Sequence, residues 1–131
     1  MMTLDKFYEN ISESDKDWLN SYRLDWMSDD QWLLYLFLNR FFKGFHHIPR
    51  EPKPIGRGIE INFKPHCMAN FDYDDLTKLV IMSHNWGVRV EIKGSGFGMI
   101  KLRLWKRHSR EGDMCERIPT IDQMVDKYKD F

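Results

Sequence analysis

The feature that most constrains this chain is the stretch 31–42, whose apolar side chains would cover almost the whole circumference of a helix. Ser28 and Gln31 have the spacing of a capping box, in which each side chain bonds the other's backbone N–H. Gly44 stands where a helix C-cap is expected. A helix that is apolar on all sides is buried, and this one is shorter than the roughly 20 residues that span a bilayer. We therefore predict a central core helix and no membrane segment.

Hydrophobic periodicity in the rest of the chain predicts an α+β fold. Apolar residues recur every three to four positions in some segments, which predicts helices, and every second position in others, which predicts half-buried strands. The expected order is α-α-β-α-β-β-α, with a small three-stranded sheet, antiparallel or mixed, covered by helices. The predicted helices cover about 12–24, 28–42, 72–87 and 120–128, and a short helical turn falls within 1–11. The predicted strands cover 59–64, 88–93 and 100–107, and the last two form a hairpin around the glycine-rich tip 94–98.

A proline-rich segment divides the chain without separating two domains. Pro49, Pro52 and Pro54 remove backbone donors and push the preceding residues toward extended geometry. We therefore predict that 45–57 has no regular structure and is a hinge between a helical part, 1–44, and a mixed part, 58–131. At 131 residues the whole chain, 1–131, fits one domain.

The predicted sheet would collect cations on the face that does not pack against helices. Positive side chains that neutralise phosphates, next to an aromatic ring on which a base can stack, suit single-stranded nucleic acid. A solvated outer sheet face, or one covered by the N-terminal helices, accounts for the same pattern. The nucleic-acid-binding candidates are Lys64, Arg89, Lys93, Lys101, Arg103, Trp105 and Arg107.

A second candidate surface lies in the N-terminal part, where carboxylates surround tryptophans. Aromatic anchors ringed by acidic groups suit a basic protein partner, and such charge complementarity speeds association. The structural alternative is helix N-terminal charge beside core tryptophans. The protein-binding candidates are Trp18, Asp25, Trp26, Asp29 and Asp30.

Metal and acid–base sites have weaker signals. His66, Cys67, His84 and Cys115 could supply four zinc-type ligands, but their spacing matches no common zinc motif. A metal-independent nuclease could use His84 or His108 with neighbouring lysines and arginines, although no spacing selects a pair. We therefore predict no catalytic residue, no metal and no cofactor.

The overall charge balance and cysteine content place limits on the class of protein. The formal net charge is zero, yet residues 1–39 carry eight acidic and three basic side chains, whereas residues 88–110 carry one and seven. Such asymmetry marks either a partner surface or two parts of one molecule that attract each other. Two cysteines are too few for a disulfide scaffold, and no signal peptide is evident, so we expect a cytoplasmic protein.

In composition the chain resembles small tailed-phage early proteins and bacterial toxin-immunity proteins, which are compact and rich in Lys, Asp, Phe and Trp. The resemblance implies a stoichiometric binder in a bacterium or a phage-infected host cell. The leading hypothesis is therefore a small non-enzymatic protein that inhibits or modulates a macromolecular target, with a protein partner favoured over nucleic acid. The alternatives are an RNA or single-stranded DNA binder acting through the sheet and, third, the small nuclease.

Overall fold

The computed structural model describes residues 2–64 and 73–107, and over these ranges the protein is α+β, as predicted. Four strands form an antiparallel sheet in the order β1-β2-β4-β3. The predicted helix 120–128 lies outside the described residues. The elements are α1 (Leu4–Tyr8), α2 (Glu13–Asn20), α3 (Asp29–Phe42), β1 (Lys53–Ile55), β2 (Gly58–Phe63), α4 (Tyr73–Trp86), β3 (Val88–Ser95) and β4 (Met99–Lys106).

Helix α3 begins with the predicted capping box and forms the centre of the core. The Gln31 backbone N–H donates to Ser28 Oγ at 3.2 Å, and the Ser28 N–H donates to Gln31 Oε1 at 2.9 Å. Residues 31–38 are all buried, so the prediction of a central core helix is confirmed. Each fully buried leucine or phenylalanine in this run contributes about 1.5–3 kcal/mol to folding.

The side-chain amide of Gln31 also ties α3 to the sheet. Its Nε2 donates to the carbonyl oxygens of Gly56 and Gly58 at 3.2 and 3.1 Å. Gln31 is only 6% exposed, and its amide makes these bonds in addition to closing the capping box. One side chain therefore fixes both the start of the central helix and its position against the β1–β2 turn.

The C-terminal end of α3 differs from the prediction by one residue. The left-handed residue is Lys43, with φ 63°, and not Gly44. The Gly44 N–H then donates to the carbonyl of Asn39 at 2.8 Å, which satisfies one of the last orphan acceptors of the helix. The prediction misplaced the C-cap because the left-handed conformation is unfavourable for lysine and not for glycine, so the sequence favoured Gly44.

The segment 45–57 contains regular structure, so the prediction of an irregular hinge was wrong. Residues Phe45–His47 form a 3₁₀ turn, and β1 pairs with β2 as a fourth strand beyond the three predicted. On an edge strand, Pro54 can turn its missing N–H away from the ladder. Gly56, with φ 56°, occupies the first position of the two-residue turn, where a type II′ hairpin needs glycine.

The helical part also differs in detail from the prediction. The predicted helical turn within 1–11 is confirmed as α1, so three helices precede the first strand where the expected order had two. Helix α2 ends at Asn20, four residues before the predicted end, and Trp26 lies in the connection to α3. The Ser21 hydroxyl donates to the carbonyl of Trp18 at 2.5 Å. Such local bonds from serine compete with continuation of a helix.

Helices α3 and α4 cover one face of the sheet. Helix α3 contacts β2 and β4, and α4 contacts β3. Helix α1 contacts both of these helices: the ring centroids of Phe7 and Trp86 lie 5.9 Å apart, and Trp32 Nε1 donates to Tyr8 Oη at 2.7 Å. The core therefore lies between the sheet and the helices, and the sheet face opposite α3 and α4 carries charged and polar side chains together with Trp105. In the described part of the chain no helix combines the length and apolar character needed to cross a membrane.

We predict that Gly58→Ala destabilises the fold. A β-carbon at Gly58 would collide with the carbonyl oxygen of Leu104 and the indole ring of Trp105, whereas one at Gly96 would meet no atom within 4 Å. Overpacking of this kind costs about 1–3 kcal/mol. Urea unfolding should therefore show a lower free energy of unfolding for Gly58→Ala and a nearly unchanged one for Gly96→Ala. Equal stability of the two variants would contradict the close packing of Trp105 on Gly58.

Candidate functional site

The first candidate surface is the sheet face that points away from α3 and α4, here called the outer sheet face. The strand register places Glu60 beside Arg103 and Arg103 beside Glu91 in one row, and Lys101 beside Lys93 in the next. The third row pairs Trp105 with Arg89. The side chains of the outer sheet face are Glu60, Asn62, Arg89, Glu91, Lys93, Lys101, Arg103 and Trp105.

Ion pairs within the outer sheet face engage several of its cations. Glu60 accepts from Arg103 Nε at 2.8 Å and lies 3.9 Å from Lys101 Nζ. Lys93 Nζ lies 2.9 Å from Glu91. The hydrogen bond from Lys93 lowers the pKa of Glu91, and the positive charges of Lys93, Arg103 and Arg89 lower it further. Desolvation of the carboxylate opposes part of this lowering. The face is therefore less positive than its count of cations implies.

Trp105 is the aromatic group of the outer sheet face. Its ring lies against Gly58, and the Arg89 guanidinium carbon lies 5.9 Å from the ring centroid, within cation–π range. The indole is only partly buried. Trp105 and the exposed Arg89 therefore form a small platform with one flat aromatic surface and one cation.

The remaining two nucleic-acid-binding candidates lie at the ends of strands. Lys64 directly follows β2 and is exposed. Arg107 follows β4, and its backbone N–H donates to the Gly87 carbonyl at 2.8 Å. The structure thus brings Arg89, Lys101 and Arg103 onto one face with Lys93 and Trp105, and places Lys64 and Arg107 at its margins.

The second candidate surface lies where α2 leads into α3 and is here called the acidic-aromatic corner, comprising Trp18, Asp25, Trp26, Asp29 and Asp30. Trp18 is 57% exposed and Trp26 is 37% exposed. In contrast, Trp32 and Trp86 are buried. The expectation that the N-terminal tryptophans belong to the core therefore holds for Trp32 and fails for Trp18 and Trp26.

Aromatic contacts hold the exposed Trp18 in place. Trp18 meets the Tyr22 ring edge-on at 5.2 Å, and Tyr22 stacks on Phe45 at 4.4 Å with an interplanar angle of 13°. Phe45 lies parallel to Trp32 at 6.1 Å. Because this series of rings ends in the buried core, Trp18 projects from a rigid support.

The carboxylates of the corner differ in how much charge they offer a partner. Asp29 pairs with Arg23 at 3.0 Å, and Asp30 pairs with Lys106 at 3.1 Å. Arg23 also donates to the Met27 carbonyl at 2.9 Å, which fixes the turn that carries Trp26. Asp25 is exposed and has no ion-pair partner within residues 2–64 and 73–107. Asp25 is thus the carboxylate of the corner most open to a partner.

The histidine and cysteine candidates receive no support from the described residues. Residues 2–64 and 73–107 contain no group of three or more His, Cys, Asp or Glu side chains placed to hold a metal ion. His84 lies on α4, and its buried Nδ1 finds no hydrogen-bond partner among these residues. His66, Cys67, His108 and Cys115 lie outside the described residues.

Two residues important to these surfaces were not identified from the sequence. Gly58 supports the Trp105 ring, and Arg23 fixes the turn next to Trp26. For Arg23, the sequence offered one signal, which is its position six residues before Asp29. No sequence pattern indicated Gly58, because the pairing of β2 with β4 brings this residue and Trp105 together across the sheet.

Comparison of the chain with protein-family models, with curated proteins and with solved structures found no match. The function is therefore inferred from the two surfaces themselves.

Proposed function

We propose that this protein is a small non-enzymatic binding protein that inhibits or modulates a protein target through the acidic-aromatic corner. The observation that carries the proposal is the exposure of two tryptophans close together in the chain, Trp18 on α2 and Trp26 in the connection from α2 to α3. The proposed setting is the cytoplasm of a bacterium or of a phage-infected cell, as the composition of the chain suggests.

Two exposed tryptophans in one short region favour an interface. Tryptophan is among the residues most often found as binding hot spots, because it buries a large apolar area and loses little conformational entropy. Leaving such side chains in water sacrifices the hydrophobic stabilisation of burial. Contact with a partner would recover that free energy, and the rigid support of Trp18 would reduce the entropic cost of binding.

The charge of the corner favours a partner with a basic surface. Asp25 offers an unneutralised carboxylate within the described residues, and Asp29, with its side chain 79% exposed, retains access to solvent despite its bond to Arg23. Complementary charges around aromatic anchors raise association rates and exclude partners of the wrong sign. The expected interface is therefore an apolar centre of two indoles with acidic groups at its rim.

We predict that replacing both tryptophans abolishes partner binding. The variant Trp18→Ala/Trp26→Ala should retain its helical circular dichroism, because neither side chain is buried, yet lose capture of its partner from a bacterial lysate. Loss of one hot-spot residue costs about 2 kcal/mol or more, so loss of both should reduce affinity by more than a hundredfold.

The Asp25→Lys variant should mainly slow association with the partner, and surface plasmon resonance with the captured partner measures that rate.

The matched control is Arg89→Ala/Trp105→Ala, which removes one aromatic ring and one cation from the outer sheet face. This variant should capture the same protein as the wild type. Equal capture by the wild type and Trp18→Ala/Trp26→Ala would contradict the proposed surface. Loss of capture only in the Arg89→Ala/Trp105→Ala variant would show that the outer sheet face, and not the acidic-aromatic corner, binds the partner.

A second candidate function is binding of RNA or single-stranded DNA through the outer sheet face. It is favoured by the platform of Trp105 and Arg89 and by the packing of α1 against Trp86 and Trp32 instead of against this face. A stacking ring beside cations is the arrangement that single-strand binders use.

If this second function operates, Glu60→Gln should strengthen oligonucleotide binding, because Arg103 and Lys101 would lose their anionic partner. Arg89→Ala should weaken binding and flatten its dependence on salt. Fluorescence anisotropy with a labelled single-stranded oligonucleotide at several salt concentrations measures both effects. Binding that is absent, or unchanged in both variants, would exclude the outer sheet face as a nucleic-acid surface.

A further inference from the structure

Within residues 2–64 and 73–107, strand β3 lies at an edge of the sheet. Its one partner among the described residues is β4, and the strand order ends with it. An edge strand presents unpaired N–H and C=O groups that can pair with another chain, and proteins usually blunt such edges. The opposite edge, β1, is blunted, since it is three residues long and contains Pro54. Strand β3 has eight residues and no proline.

The hydrogen-bond phase identifies the backbone groups at this edge. The Arg107 N–H donates to the Gly87 carbonyl, and these two residues continue the register of the β3–β4 pair. Hydrogen-bonded and non-hydrogen-bonded pairs alternate in antiparallel strands. The odd-numbered residues of β3 therefore bond to β4, and Val90, Ile92 and Gly94 direct their backbone groups outward.

The side chains along this edge are apolar on one face and charged on the other. Val88 is buried, Val90 is partly buried, and Ile92 is 44% exposed. Ile92 is thus an exposed apolar side chain of this edge on the face that α3 and α4 cover. On the opposite face, Arg89, Glu91 and Lys93 alternate in charge.

We propose that β3 pairs antiparallel with β3 of a second copy of this chain, with the two-fold axis at Ile92. This register opposes Ile92 to Ile92 and joins the outward backbone groups of Val90 to those of Gly94. It also places Glu91 of each copy directly opposite Lys93 of the other copy, which gives two pairs of opposite charge. The result is a sheet that continues across two copies, with both outer faces on the same side.

Charge complementarity selects this register over its neighbour. An axis at Glu91 would oppose the two Glu91 carboxylates and would place Arg89 opposite Lys93, so every charged pair would repel. Opposed like charges destabilise strand pairing, and opposite charges stabilise it. An axis at Val90 also gives opposite charges, Arg89 with Glu91, but it leaves Ile92 opposite Val88 beside the end of α4.

Sedimentation velocity of the full chain from low to high micromolar concentration tests the proposal. The wild type should shift from monomer to dimer, because one strand with its flanking side chains makes a small, concentration-dependent interface. Ile92→Lys should remain monomeric with unchanged circular dichroism, since it opposes two ammonium groups at the axis. Glu91→Lys should also lose the dimer, and Glu91→Lys/Lys93→Glu should regain it by exchanging the signs of both pairs.

A monomeric wild type at every concentration would overturn the proposal, as would a dimer that survives Ile92→Lys. Failure of the double variant to restore the dimer would overturn the register, because an axis at Val90 would oppose the lysine introduced by Glu91→Lys to Arg89. Amide hydrogen exchange gives an independent reading: the N–H groups of Val90, Ile92 and Gly94 should gain protection on dimerisation, and those of Arg89, Glu91 and Lys93 should be protected in both states.

Discussion

The structure depends on the burial of α3 on every side. A helix with no polar face requires neighbours all round, and the sheet, α4 and the N-terminal helices provide them. Burial alone does not fix the orientation of a helix, because the hydrophobic effect has no preferred direction. Gln31 supplies the direction: its amide closes the capping box and bonds two carbonyls at the β1–β2 turn. Leaving such a buried donor unpaired costs about 1–3 kcal/mol, so the start of the helix has one favourable position.

This core separates two surfaces of opposite chemical character. The acidic-aromatic corner runs from α2 to the first turn of α3, whereas the outer sheet face lies on the side of the strands opposite α3. Asp30 at the start of α3 and Lys106 at the end of β4 form an ion pair, so part of the acidic and basic asymmetry of the chain is used inside the molecule. The outer sheet face neutralises more of its charge through Glu60 and Glu91. What remains open to a partner is mainly the pair of exposed indoles.

The sequence was sufficient to predict the parts of the fold that depend on local chemistry. The capping box at Ser28 and Gln31, the alternation along β2 and the β3–β4 hairpin each depend on residues close together in the chain, and each is confirmed. Strand β1 was missed because its stability comes from pairing with β2 and from a glycine turn, while Pro54 within it and Pro52 just before it argue against a strand. The exposure of Trp18 could not be predicted, since helical spacing alone places it beside the buried Leu19.

Site-specific photo-crosslinking in cells tests the central claim most directly. A photoreactive amino acid replaces Trp18 in one version of the chain and Trp105 in another, and the crosslinked products are separated after nuclease or protease treatment. Binding of a protein through the acidic-aromatic corner predicts a discrete protease-sensitive adduct from position 18 and none from position 105. A nuclease-sensitive adduct from position 105, with no protein adduct from position 18, would contradict it.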